Sequence, residues 1–113
     1  MVDNKTYTLK FYTTAAGIQP VSRWLKSIRD QSAKQKIHVR ITRLEIGLFG
    51  DVESVGGGVH ELRVFVGKGY RLYFATVGNE LVLLLNGGDK QSKSQQQRDI
   101  ALAKEYLNEY KSR

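Results

Sequence analysis

A chain of 113 residues without cysteine has room for one domain around one core, spanning residues 1–113, and excludes disulfides and cysteine-ligated metals. Eighteen Lys and Arg against eleven Asp and Glu give a net charge of +7. That balance directs attention to polyanions or acidic proteins as partners. Residues 1–5 carry no apolar leader and no segment has membrane-spanning length, so the expected location is the cytoplasm, with no membrane partner.

In chain order, Tyr7, Leu9 and Phe11 alternate with Thr8, Lys10 and Tyr12, the period of a half-buried strand. Pro20 suits a first helical turn, and Val21, Trp24, Leu25 and Ile28 follow the spacing of an amphipathic helix. A second helix is predicted from Ser32, capped with Gln35, with an apolar stripe of Ala33, Ile37, Ile41, Leu44 and Leu48. Lys36, Arg40 and Arg43 form a basic stripe beside it, and with Arg23 and Lys26 they make residues 23–43 strongly cationic. Gly47 and Gly50 end the helix, and residues 52–58 read as a glycine-rich loop.

Three strands are predicted next. His60, Leu62, Val64 and Val66 alternate with Glu61, Arg63 and Phe65; Tyr70, Leu72 and Phe74 alternate with Arg71, Tyr73 and Ala75. Leu81 to Leu85 are all apolar, so that strand should be covered on both faces. A last helix is predicted from Ser94, with Ile100, Ala103, Leu107 and Tyr110 inward. The fold class is α+β, in the order β-α-α-β-β-β-α. An antiparallel sheet packs on a helical hairpin and is followed by a C-terminal helix.

With residues 67–69 as a hairpin loop, Val66 pairs with Tyr70, and Arg63 and Arg71 become diagonal neighbours about 7 Å apart. Two cations so placed call for a carboxylate or an anion between them. Glu61 on the same face supplies the first, and a phosphate gripped by both guanidiniums is the second. Tyr73 and Phe65 beside them offer rings on which a base can stack. Arg71 lies opposite the face of Tyr70, Leu72 and Phe74, so its removal is expected to leave the core unperturbed. Gly87-Gly88 reads either as a site of close backbone approach or as a turn into the last helix. His60 and His38 carry weak signals, and no metal-binding or nucleotide-binding motif is present.

Several motifs stand in a fixed order. They are Glu61-Leu62-Arg63, Gly69-Tyr70-Arg71-Leu72-Tyr73-Phe74, Leu83-Leu84-Leu85-Asn86-Gly87-Gly88-Asp89-Lys90, and Asp99-Ile100 with Ala103. With Trp24-Leu25 and Arg43-Leu44, this set resembles the RelE/HigB branch of the RelE/ParE toxin superfamily, and more narrowly phage-derived addiction-module killer proteins. The resemblance runs from Tyr7 to Leu107. It implies a type II toxin that cleaves mRNA on the ribosome without metal or cofactor. It also implies a cognate antitoxin as partner, a helix-turn-helix protein encoded by an adjacent gene.

By the same resemblance, Arg71 holds the scissile phosphate, with Arg63 and Lys90 as further cations. Asp89, His60 and Lys68 are candidates for the acid and base. Lys68 and Tyr73 join Arg23, Lys26, Lys36, Arg40 and Arg43 as expected RNA or ribosome contacts. The chain departs from RelE at Val59 and Glu61, where lysines are expected, and at Gln95 to Gln97, where a tyrosine is expected. ParE-like toxins share the fold and inhibit gyrase without cutting RNA. A catalytically decayed RNA-binding module is a third reading.

Overall fold

A computed structural model describes residues 6–90 and 92–113, so the N-terminal segment 1–5, read for a leader in the sequence, lies outside the described residues. The elements are β1 (Thr8–Phe11), α1 (Pro20–Ser27), α2 (Gln31–Glu45), β2 (Val52–Gly56), β3 (Val59–Val64), β4 (Tyr70–Val77), β5 (Leu81–Asp89) and α3 (Lys93–Lys111). Pro20 opens α1 at its first turn, as its fixed φ and missing N–H favour. The other helices start earlier than predicted because different residues cap them. Asp30 accepts from the Ala33 amide at 3.1 Å, and Ser92 accepts from the Gln95 amide at 3.1 Å. Leu48, predicted on α2, lies beyond the helix and is partly exposed.

The sheet has five strands in the order β1-β5-β4-β3-β2. It is mixed, which corrects the antiparallel expectation: Thr8 to Phe11 pair in parallel with Leu81 to Leu84. Residues 52–58 also differ from the loop predicted there. Val52 to Gly56 form an edge strand antiparallel to β3, and the glycines mark only its turn. Gly56, Gly57 and Gly58 all have positive φ (91°, 63° and 85°), a run that other residues would adopt only under strain.

The two faces of the sheet carry separate cores. Toward the hairpin of α1 and α2, Leu25, Ile37 and Leu44 meet Leu62, Leu72, Phe74 and Leu84. Toward α3, Ala103 and Leu107 meet Val59, Tyr73, Leu83 and Leu85. Leu81–Leu85 is apolar throughout because β5 contributes to both. A bulge in β5 follows: Phe74 pairs with Leu84 but Tyr73 pairs with Asn86, leaving Leu85 unmatched. The extra residue reverses which face each later side chain addresses. Gly87 therefore points to α1, and Gly88 to α3.

Arg40 ties the helical hairpin to the sheet edge. Its guanidinium donates to the carbonyls of Arg63 (2.8 Å), Phe49 (3.2 Å) and Asp51 (3.3 Å). Burial pulls its pKa below the ordinary arginine value. This residue is a structural clasp, and its donors are not free for RNA. Arg40→Ala strands three carbonyls and should lower stability by about 2 kcal/mol. Arg40→Lys, lacking the planar fork, should recover only part of that loss in urea unfolding.

Candidate functional site

The β3–β4 connection spans residues 65–69, longer than predicted, with Gly67 and Gly69 at φ 55° and 86°. Val64 therefore pairs with Tyr70 and Leu62 with Leu72, a register shifted by two residues from the expected one. A shift of two preserves which face every side chain takes. It also brings Arg63 directly opposite Arg71. Their repulsion is relieved separately. Arg63 reaches Asp51 and Glu53 at 2.7 Å each, toward the β2 edge. Arg71 turns instead to Glu61, with Nε 3.6 Å from Oε2.

Glu61 is the anchor of this face. Only 3% exposed, it accepts at Oε2 from the Tyr73 hydroxyl (3.0 Å) and from Gln96 Nε2 on α3 (2.8 Å). Burial and then the Glu61 charge push the Tyr73 hydroxyl well above its usual pKa. The Tyr73 ring is fully buried and is not offered to a base, whereas Phe65 is 71% exposed. Because two neutral donors occupy Glu61, Arg71 is left near the carboxylate by charge alone. Its guanidinium makes no hydrogen bond with any described residue, and the side chain keeps 15% exposure.

Beyond Arg71 the sheet carries two glycines, each covered by a side chain from a neighbouring helix. A β-carbon at Gly87 would collide with the Trp24 indole, and one at Gly88 would lie 2.5 Å from Asp99 Oδ2. These glycines lie inside β5, so they mark close backbone approach and not the turn into α3. A cleft of about 340 Å³ opens here, lined by Trp24, Ser27, Gly87, Gly88, Asp89, Gln95 and Asp99. A neighbouring cleft of about 460 Å³ shares Ser27 and Asp89 and adds Arg29, Asp30, Lys68 and Tyr70. Gln95 Nε2 donates to Asp99 Oδ1 at 2.9 Å, and Asn86 Nδ2 donates to the Asp99 carbonyl at 3.0 Å.

The remaining sequence candidates divide by position. Asp89 lines both clefts and pairs with Lys68 at 2.8 Å. Lys90 is exposed, with Nζ 5.8 Å from the Phe65 ring centroid. His60 pairs with Phe74 on the face of the helical hairpin, behind the sheet from Arg71, and burial pulls its pKa down. Arg23 and Lys26 are exposed on α1, and Lys36 and Arg43 on α2. Asp99 was not among the sequence candidates. Its place depends on the β5 bulge and on Gly88 in the preceding element, and the Gly87-Gly88 pair and the Asp99-Ile100 motif are the sequence signals that point to it. Among the described residues, no group of three or more His, Asp or Glu is placed to hold a metal ion, and no helix is long and apolar enough to cross a membrane.

Comparison with known proteins adds to this geometry. Residues 23–108, from α1 to near the end of α3, match the family described as "Phage derived protein Gp49-like". A Haemophilus influenzae protein carrying the description "Uncharacterized protein" is 48% identical over 81 residues, which cover 72% of this chain and 79% of that protein. The chain belongs to the phage-derived Gp49-like family, within the RelE/ParE-like toxin superfamily.

Proposed function

We propose that this protein is the toxin of a type II toxin–antitoxin pair, a HigB-like endoribonuclease that cuts mRNA on the ribosome and is restrained by a cognate antitoxin. The observation that carries this reading is Arg71. It is a guanidinium fixed by charge beside buried Glu61, free of hydrogen bonds to the described residues, and paired across the sheet with Gly88, which lines a cleft. A cation so prepared suits a phosphate whose charge rises in the transition state.

In the proposed reaction the ribose 2′-hydroxyl attacks the adjacent phosphorus and the bond to the 5′-oxygen breaks. The products are a 2′,3′-cyclic phosphate and a 5′-hydroxyl. Arg71 offsets the negative charge that builds on the phosphorane oxygens. Exposed Lys26, Lys36 and Arg43 draw in the RNA backbone, and the action takes place in the cytoplasm, where ribosomes work.

Induced expression without antitoxin should halt translation rapidly, with primer extension showing message cut within codons. Intact message together with gyrase-trapped DNA breaks would replace this reading with the ParE-like one. Growth unaffected by either route would leave the decayed binding module.

A further inference from the structure

We propose that Asp99 is the general base of this site, its Oδ2 taking the 2′-hydroxyl proton while Arg71 holds the phosphate. The inference rests on the endoribonuclease reading above and supplies the base that reading lacks.

Arg71 and Gly88 are direct cross-strand partners. Side chains at such positions stand about 5 Å apart on one face of the sheet. Gly88 has no side chain, and the space a β-carbon would enter is filled from α3 by Asp99 Oδ2, 2.5 Å from that position. The carboxylate thus stands, from the helix, where the cross-strand neighbour of Arg71 would stand. Among the described residues no ion pair within 4.0 Å joins Asp99 to Arg71, whose charge partner is Glu61. The Tyr73 hydroxyl beneath feels the charges of both.

The Asp99 carboxylate is held at one oxygen and free at the other. Oδ1 accepts from Gln95 one turn earlier, and Asn86 clamps the carbonyl of the same residue to β5. Oδ2 receives no hydrogen bond from any described residue. The other carboxylates lining the two clefts are engaged: Asp30 caps α2, and Asp89 is paired with Lys68. Glu61 is buried beneath two donors. Asp99 is the carboxylate that takes the place of the cross-strand neighbour of Arg71, and its Oδ2 is open there.

In the step itself, the proton passes from O2′ to Asp99 Oδ2 as the O2′–P bond forms. The P–O5′ bond breaks, the departing oxygen takes a proton from water, and Asp99 then releases its proton to solvent.

Single-turnover cleavage of a short mRNA on programmed ribosomes tests the assignment with the full chain. Asp99→Asn keeps the Gln95 contact available and should slow cleavage about 100-fold or more. Ribosome binding by sedimentation and the melting temperature should stay unchanged. The same message with sulfur in place of the scissile 5′-oxygen needs no acid for its leaving group. A general base predicts a defect of equal size on that substrate. If sulfur abolishes the defect, Asp99 is the acid and the proposal fails. Near-native cleavage by Asp99→Asn, or a loss confined to binding, also overturns it. Wild-type protein that binds ribosomes but cuts nothing removes the endoribonuclease reading, and this inference with it.

Discussion

In the proposed reaction, Arg71→Ala should reduce cleavage by roughly a hundredfold or more, because the cation assigned to the phosphorane is lost. It should also destabilise the fold, which strand alternation alone does not suggest. Glu61 is 3% exposed and Arg71 is its nearest cation. Breaking a fully buried pair costs about 3–5 kcal/mol; with the Tyr73 and Gln96 donors retained and the pair spaced at 3.6 Å, about 2 kcal/mol is expected. Adding Glu61→Gln to Arg71→Ala removes the stranded charge. The double variant should regain most of the stability in urea unfolding and none of the cleavage. A double variant that cut at the native rate would take Arg71 out of the mechanism.

The second large effect is expected at Gly87. Gly87→Ala drives a methyl group into the Trp24 ring, where the neighbour is a rigid indole packed between α1 and the sheet. Overpacking of this kind costs about 1–3 kcal/mol, and the contact here is far inside van der Waals distance, so the upper end applies. In a domain of this size that is a fall of roughly 10 °C or more in melting temperature. Trp24→Leu is destabilising alone through lost burial. Combined with Gly87→Ala it should cost less than the two single losses together, since the methyl group then has room. Strictly additive thermal melts would mean that Gly87 is required for some reason other than the indole.

The contrast between these sites shows what the sequence made legible. Period-two and helical alternation assigned nearly every core residue to its face, because burial depends on face and tolerates a two-residue slip. That is why Arg63 and Arg71 were placed on the correct side despite the wrong register: alternation measures parity, while the register was set by the length of the loop at residues 65–69. β2 was hidden because a three-glycine turn reads as a loop whether or not a strand precedes it. The direction of β1 left no trace, since alternation is the same in parallel and antiparallel ladders. Asp99 stands in the motif set, but its place at the site was not legible, for a different reason. The face of Gly88 that it covers is set by Leu85, the extra residue of a bulge, and nothing in the apolar run from Leu81 to Leu85 announces which residue will be unmatched. For the candidate site, then, the cations of the sheet were visible in advance and the contribution of α3 was not.

The parallel pairing of β1 with β5 also governs when the molecule can exist. Thr8 must find Leu81, and Tyr12 on the same end of the chain bonds Glu109 near the other. Contacts spanning nearly the whole chain carry a large loop-closure entropy and form late, after the hairpins of β2 to β5 have assembled locally. A chain that has folded only as far as β4 lacks β5 and α3. Neither Gly88 nor Asp99 is then in place, and no cleft is present. In a protein of this topology the floor of the cleft is assembled last, when β5 and α3 have both formed and docked on each other.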